Sequence, residues 1–339
     1  MNSLKRILLL FLCVTMIVCT GCSNNSGDKT PDTQTSDTQE IITTPTAAEK
    51  RDRVGFGFYR LPYSNSDALE VESAKGHVNV YFVDLLRGDL DYTINALQRI
   101  KEVDGMAWLG MGSSTFMGNE PRPRYLKEGW DEELKADMDV FEEKGLIDVI
   151  LGFYFDEPLL NGLSKEGLRD ATKWMRENYP ELRTMACFAI NCISPYVWST
   201  GDDQLLDPDT TQYLTDAAYD MYWQITPDNE FLYKKIASNL KDRFGRTDMR
   251  IWYVPCVMCG GGKGKESNCI KHLEFMYELL KGEENPGGLM CYAYDISNRD
   301  GDLGNIGFNE MRDRETDPWL TLEDRLITIG REIVQSNEK

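Results

Sequence analysis

Eight short apolar segments alternate with amphipathic segments between residues 54 and 334, and this alternation most constrains the fold. Each apolar segment is rich in β-branched or aromatic residues and is bounded by turn or charged residues, as β-strands are. Apolar side chains on both faces of a strand are typical of parallel strands that are covered by helices. The predicted strands are VGFGFY (54–59), VNVYFV (78–83), GMAWLGM (105–111), VILGFYF (149–155), TMACFAI (184–190), AAYDMYW (217–223), RIWYVPC (250–256) and GLMCYAY (288–294).

The segments between these strands have the spacing and the terminal residues of α-helices. In segment 89–103, apolar residues recur at intervals of three and four. Segment 130–145 begins with acidic residues and ends in Lys-Gly, which suits the helix dipole and a glycine cap. The other predicted helices are 164–180, 229–245, 266–282, 319–334 and, as the weakest of the set, 67–76.

Eight strands with crossover helices in about 290 residues predict an α/β fold, the (β/α)8 TIM barrel. An open doubly wound sheet is the alternative, but no G-x-G-x-x-G follows the first strand. Long connections follow four of the predicted strands, and in a barrel such loops build the active site. These connections are residues 112–129, 191–210, 257–265 and 295–318.

The N-terminal region predicts export. A basic start, MNSLKR, precedes the apolar run ILLLFLCVTMIVC, which is too short for a comfortable membrane span and is typical of a secretory signal. The following Cys-Thr-Gly-Cys resembles a bacterial lipobox, although Cys19 stands where that pattern usually has leucine. The resemblance implies a signal peptide over 1–21 and lipidation of Cys22; a plain secretory signal is the alternative.

The polar segment 22–50 has almost no large apolar residues and is predicted to be a flexible tether. Residues 51–339 then form a single barrel domain. The expected location is extracellular, with the protein attached to the bacterial cell membrane by its N-terminal lipid alone. The formal charge of −19 argues against a nucleic-acid partner. Nothing in the sequence indicates an oligomeric state.

The stretch GFYFDEPLLNG (152–162) carries two adjacent carboxyl groups directly after predicted strand 4. In a barrel, Asp156 and Glu157 would therefore face the mouth at the C-terminal ends of the strands. Two neighbouring carboxylates in a partly dry site repel each other, so the pKa of one of them should rise. The alternative is structural: Asp156 would cap a turn before Pro158, and Glu157 would be solvated.

The FDEP sequence resembles the strand-4 acid motif of glycoside hydrolase barrels. The closest form is the Asn-Glu-Pro of the large retaining clan, with Asp156 in place of the asparagine. The Asp-Glu pair also resembles that of substrate-assisted β-N-acetylhexosaminidases, in which the Glu is the general acid and the Asp orients the acetamido group. The resemblance implies Glu157 as general acid, Asp156 as its support, a poly- or oligosaccharide as partner, and no cofactor.

The chain departs from these families at two places. Predicted strand 7 ends in Pro-Cys-Val-Met-Cys-Gly, without the carboxylate that serves the retaining clan as nucleophile. The Asp-x-Asp-x-Glu of chitinase-like families is also absent. Strand 6, which contains Asp-Met-Tyr-Trp-Gln (220–224), resembles the Met-x-Tyr strand of those families, and the resemblance implies that Tyr222 assists an acetamido group. A substrate-assisted mechanism would require no protein nucleophile.

Further candidate residues lie at the ends of other strands. Asp295 after strand 8 is a second candidate for the catalytic pair, and Asp84 after strand 2 is a third; each has a loop-capping alternative. Aromatic rings stack on the apolar faces of sugars, and polar side chains bind hydroxyls. The predicted substrate-binding residues are Tyr59, Arg60, Tyr63, Asn191, Trp198, Trp223 and Tyr294. Arg60 pairing with the acidic pair is an alternative, which would weaken the acid assignment.

Six cysteines lie beyond the signal region, and a C-x-x-C pair joins Cys256 and Cys259. With Cys269 and His272 nearby in sequence, a metal site, a disulfide and buried thiols all stay open, and no metal site is predicted. The missing strand-7 carboxylate also motivates a different function, that of a non-catalytic glycan-binding lipoprotein.

Overall fold

The computed structural model describes residues 45–59, 75–85, 89–111, 117–118, 125–194, 205–222, 225–258, 266–292 and 317–338. Within these ranges no helix combines the length and the apolar character needed to cross a membrane. The signal peptide, the lipidation site Cys22, most of the tether and most of predicted helix 67–76 lie outside them.

All eight predicted strands are present, and they form one parallel sheet. Each strand pairs in parallel with its neighbours, and β1 pairs with β8, so the sheet curls round on itself. This arrangement confirms the predicted (β/α)8 TIM barrel over the open doubly wound sheet. The strands are β1 (Gly55–Phe58), β2 (Val80–Asp84), β3 (Met106–Gly110), β4 (Ile150–Asp156), β5 (Arg183–Ala189), β6 (Asp216–Asp220), β7 (Arg250–Val254) and β8 (Pro286–Cys291).

The seam between β1 and β2 is completed by Asn79, the residue before β2. Its backbone N–H donates to the Phe56 carbonyl oxygen at 3.1 Å, and its side-chain Oδ1 accepts from the Phe56 N–H at 2.7 Å. Its Nδ2 donates to the Val54 carbonyl oxygen at 3.0 Å. A Cβ on Gly57 would overlap the Val80 carbonyl, so glycine permits this close approach of the two backbones.

The six predicted helices that lie within the described residues fall within two residues of their expected ends. Ser164 accepts a hydrogen bond from the Gly167 N–H at 3.0 Å and so starts the helix after β4. The helices are α1 (Ala47–Arg51), α2 (Leu90–Glu102), α3 (Trp130–Glu143), α4 (Lys165–Asn178), α5 (Ile190–Ile193), α6 (Pro208–Thr211), α7 (Glu230–Phe244), α8 (Glu266–Lys281) and α9 (Asp317–Ser336). A 3-10 turn (Ile147–Val149) and a two-stranded ladder of Met117–Gly118 with Tyr125–Leu126 complete the described elements.

Two apolar cores hold the strands in place. The larger lies between the sheet and the surrounding helices, and the smaller fills the barrel interior. Inside the barrel, the Trp108 and Trp252 rings meet edge to face, with centroids 5.9 Å apart. Above them, Phe82 and Tyr154 meet in the same way at 5.2 Å, so the interior is packed up to the mouth.

Three strands end two or more residues earlier than predicted. β6 ends at Asp220 rather than residue 223, β7 at Val254 rather than 256, and β8 at Cys291 rather than 294. For β7 the reason is Pro255, which has no N–H to donate to a ladder. The ladder between β7 and β8 continues only as an isolated bridge between Cys256 and Tyr292. Asp220 is therefore the last residue of its strand and reaches the barrel mouth.

Candidate active site

The turn after β4 holds Glu157 in an unusual backbone conformation. Its φ is 42°, in the left-handed region that side-chain-bearing residues rarely adopt. The Glu157 N–H donates to the Cys187 carbonyl oxygen on β5 at 3.0 Å. The Asn161 side-chain amide donates to the Glu157 carbonyl oxygen at 2.9 Å and to that of Asp156 at 3.4 Å. The surrounding bonds thus fix a strained turn and the direction of both carboxyl groups.

Asp156, the last residue of β4, is oriented by two phenol hydroxyls. Tyr154 donates to its Oδ1 at 2.8 Å, and Tyr59, just after β1, donates to its Oδ2 at 3.3 Å. Both oxygens therefore have side-chain partners at the barrel mouth. The alternative in which Asp156 serves as a simple turn cap does not describe these contacts.

Asp220, at the end of β6, brings a third carboxyl group to the same place. Burial raises its pKa to about 6, and the nearby charge of Asp156 adds to this rise. Hydrogen bonds with the Glu157 and Tyr222 side chains lower its pKa in part. Asp220 falls inside the predicted strand 217–223, and no sequence pattern marks it as a site residue.

The hydrogen bond between Glu157 and Asp220 has a chemical consequence. Two carboxyl groups can share a hydrogen bond only when one of them carries a proton. The hydrogen bond to Glu157 lowers the pKa of Asp220 in part, so the two carboxyl groups share one proton between them. The geometry therefore keeps a protonated carboxyl group at the barrel mouth, which is the form that a general acid requires.

Tyrosine rings form a wall beside the carboxyl groups. Tyr222 and Tyr292 stack with centroids 5.1 Å apart and an interplanar angle of 19°. Tyr292 also contacts Tyr59 at 5.5 Å, and Tyr59 contacts Tyr154 at 6.2 Å. These four side chains come from β1, β4 and the segments after β6 and β8, so the wall spans the mouth. Tyr292 was missed because predicted strand 8 extended beyond it.

A buried thiol lies among the carboxyl groups. Burial raises the pKa of Cys187 well above its ordinary value, and the charges of Asp220, Asp156 and Glu157 act in the same direction. The thiol therefore stays protonated and behaves as a small apolar side chain in the floor of the site.

His272 on α8 ties together the segments that follow β6 and β7. Its Nδ1 accepts from the Cys256 N–H at 3.0 Å, so the proton lies on Nε2, which donates to the Met221 carbonyl oxygen at 2.8 Å. Tyr233 is 3.1 Å from Nε2. Burial lowers the pKa of His272 to about 4, so the ring is neutral at physiological pH. Nε2 thus supports the segment directly after Asp220, and Nδ1 supports the segment after β7.

The cysteines do not form the metal site or disulfides that the C-x-x-C pair left open, as far as the structure describes them. Cys187, Cys192, Cys256, Cys269 and Cys291 are buried and form no disulfide among the described residues. Among the described residues, no cluster of three His, Cys, Asp or Glu side chains is placed to hold a metal ion. Cys259 lies outside the described residues.

The structure places six of the selected residues. Asp156, Glu157, Tyr222 and Tyr59 come together at the mouth, whereas Asn191 is buried in α5 at 5% exposure. Asp84 ends β2 and is exposed. Selected residues outside the described ranges are Arg60, Tyr63, Trp198, Trp223, Tyr294 and Asp295. The catalytic and binding roles of all of these remain predictions.

Comparison with known proteins identifies glycoside hydrolases as structural neighbours. No family model matches the chain, and no curated protein matches it. A structure of GH113 β-1,4-mannanase superposes with a TM-score of 0.51 at 12% identity and covers 83% of this chain and 98% of that one. The endo-β-1,4-mannanase from Thermotoga petrophila gives 0.53 at 11%, covering 85% and 78%. The barrel is thus a glycoside hydrolase-like fold, and its family is unassigned.

Proposed function

We propose that this protein is a glycoside hydrolase that acts on a poly- or oligosaccharide, with Glu157 as the general acid. The observation that carries the proposal is the hydrogen bond between the Glu157 and Asp220 carboxyl groups at the barrel mouth, which requires that one of them carries a proton. Glycoside cleavage requires a protonated carboxyl group beside the leaving oxygen and a second group that manages the oxocarbenium charge. The neighbours' shared fold adds to the proposal, since barrels of this kind support that chemistry.

In the proposed reaction, Glu157 passes its proton to the glycosidic oxygen as the bond to the anomeric carbon breaks. Asp220 loses its hydrogen bond at that moment, and its charge and that of Asp156 lie beside the developing positive charge. The tyrosine wall formed by Tyr59, Tyr222 and Tyr292 offers flat apolar faces on which sugar C–H groups stack. This arrangement stabilises the transition state more than the ground state, which is the requirement for catalysis.

The second half of the mechanism has two candidate routes. β7 ends without a carboxylate, because the residues after Val254 are Pro-Cys-Val-Met. Asp156 is then the base that activates water, or the acetamido group of the substrate attacks the anomeric carbon with Tyr222 and Asp156 orienting it. The first route inverts the anomeric centre and the second retains it. The anomer released first, observed by NMR, distinguishes the two.

Substitution of Glu157 tests the function directly. Glu157→Gln should lower kcat on the cleaved glycan by about a hundredfold or more, because the proton donor is lost. The fold should be unchanged, as circular dichroism would verify. Glu143→Gln, an exposed change on α3, is the matched control and should keep full activity. Unchanged hydrolysis by the Glu157→Gln protein would refute the assignment.

A non-catalytic glycan-binding lipoprotein is the second candidate, and the absence of a carboxylate after β7 favours it. In that case the protein would bind glycans on an array, and chromatography would detect no product from them. Under either function we propose an extracellular location with lipid on Cys22. Cys22→Ser should release the protein from the membrane fraction, as detergent partitioning would reveal.

A further inference from the structure

A cavity of about 520 Å³ lies at the N-terminal ends of the strands, opposite the candidate active site. Its wall contains four arginines: Arg51 on α1, Arg176 on α4, Arg183 at the start of β5 and Arg246 before β7. Such a concentration of guanidinium groups is notable in a chain with a net charge of −19. The active-site chemistry uses none of these residues.

The carboxylates that line this cavity are more exposed than its arginines, and the one buried acid beside them, Asp216, is paired with Arg183. The Asp52 and Asp248 side chains are 84% and 75% exposed, whereas those of Arg183 and Arg246 are 15% and 31% exposed. Glu181 is also exposed. Water screens the exposed carboxylates more strongly than the less exposed guanidinium groups, so the interior of the cavity favours a negative charge.

The arginines also form hydrogen bonds that stabilise the N-terminal end of the barrel. Some of their N–H donors take no part in these hydrogen bonds. Arg51 donates Nε to the Ile150 carbonyl oxygen at 3.0 Å, and Arg183 donates Nε to Asp216 at 2.6 Å. Arg246 donates Nη2 to the Leu214 carbonyl oxygen. Its Nε is buried and makes no hydrogen bond among the described residues, although the Asp248 carboxylate pairs with it at 3.5 Å. An unsatisfied buried donor is costly, and it becomes favourable when an anion accepts from it.

Repulsion between the guanidinium groups is evident at Arg176. Burial lowers the pKa of Arg176, and the nearby positive charges of Arg183 and Arg246 lower it further, while Glu181 and Asp216 act in the opposite direction. A shared counter-charge would reduce the repulsion among these guanidinium groups. Guanidinium forks match the oxygen spacing of phosphate and sulfate groups, which can bridge several arginines at once.

We propose that this cavity binds a tetrahedral oxyanion, a phosphate or sulfate group, through Arg246 and Arg176. The cavity has room for such a group either as a free ion or as the ester of a sugar. Because it opens at the end of the barrel opposite Glu157, binding here is independent of the catalytic groups.

Calorimetric titration of the purified protein with inorganic phosphate and inorganic sulfate tests this site, with chloride at equal ionic strength as reference. We expect saturable binding of one anion per chain and a rise in Tm on its addition. Arg246→Gln should weaken binding by about tenfold or more, because a charge-assisted donor is lost. Arg325→Gln, which removes an arginine of α9 paired with Glu274, is the matched control and should bind as the wild type does.

Further measurements identify the source of the anion, and a second variant serves if the first does not fold. Tighter binding of a hexose 6-phosphate or 6-sulfate than of the inorganic ions would support a sugar ester as ligand, and equal binding would support the free ion. Arg176→Gln is the second variant if Arg246→Gln does not fold. Glu157→Gln should bind the anion normally, which separates this site from the barrel mouth. Absence of saturable binding, or wild-type binding by both arginine variants, would overturn the proposal.

Discussion

Glu157 combines two features that each cost free energy. Its left-handed backbone conformation is strained, and its half-buried carboxyl group is held against a second carboxyl group. Strain of this kind costs about 1–3 kcal/mol and persists only where the surroundings impose it. Asn161 and the Cys187 carbonyl impose it here. Such costs are concentrated at functional sites, which agrees with the proposed role of Glu157.

Asp220 makes the stability of the fold depend on pH. The folded protein binds its proton more tightly than the unfolded chain, since its pKa rises from 3.8 to about 6. The protonated Asp220 carboxyl group therefore stabilises the fold at low pH. This stabilisation is lost as the pH rises from 3.8 to about 6 and beyond. Asp220→Asn should abolish this pH-dependent loss of stability. The Tm of the variant relative to wild type should therefore increase between pH 4 and pH 7. Thermal unfolding across this range is the measurement.

Asp139→Asn is the control for this experiment, because Asp139 is an exposed residue of α3 that pairs with Lys135. Its Tm difference from wild type should stay nearly constant over the same pH range. Asp220→Asn should also lose most of its hydrolytic activity, so a gain in stability at neutral pH would accompany a loss of function. Parallel Tm curves for wild type and Asp220→Asn would contradict the raised pKa.

Asp156 and Glu157 could be found from the sequence, but Asp220 could not. The first two follow an apolar run that could only be a buried strand, so their position at its end was evident. Asp220 lies within a run whose aromatic residues continue past the true end of β6. Its contact with Glu157 joins β6 to β4 across β5, and no local pattern encodes a relation between two non-neighbouring strands.

The turn between β4 and α4 positions the acidic pair, and Asn161 is its main brace. Asn161→Ala removes the side-chain bonds to the Glu157 and Asp156 carbonyl oxygens. We expect kcat to fall by about tenfold while KM is nearly unchanged, because the acid is displaced but the binding wall is intact. The free energy of unfolding should fall by about 1 kcal/mol. Steady-state kinetics and urea unfolding measure these quantities.

Asn178→Ala is the control for the turn, since Asn178 donates to the Trp174 carbonyl oxygen on the exposed side of α4. It should leave both kcat and KM at wild-type values. Equal activity of Asn161→Ala and wild type would show that the turn holds Glu157 without its side-chain brace.

The strands and helices were predictable because each carries its own signal. Apolar, β-branched runs gave the eight strands, and periodic segments with caps such as Ser164 gave the helices. The ends of β6, β7 and β8 were less certain, because aromatic residues continue from the strands into the mouth of the barrel. Those residues contribute to the tyrosine wall. The predicted strand ends were therefore wrong where the aromatic residues of the strands continue into those of the candidate site.

The two ends of the complete barrel carry different clusters of charged side chains. Carboxyl groups gather at the C-terminal ends of the strands, around Asp220, and guanidinium groups at the N-terminal ends, around Arg183. Closure of the sheet is what brings each group together, because residues far apart in sequence then share one rim. The integrity of the seam between β1 and β2 therefore matters for both ends.

Asn79 closes that seam, and its loss should weaken the whole barrel. Asn79→Ala leaves the buried Phe56 N–H without its acceptor, while the Val54 carbonyl keeps a bond from Asn337. One unsatisfied buried donor costs about 1–3 kcal/mol, so the free energy of unfolding should fall by that amount in urea titration. Asn285→Ala, which removes a bond to the exposed Thr247 carbonyl, should cost clearly less. Equal losses for the two variants would mean that closure does not depend on Asn79.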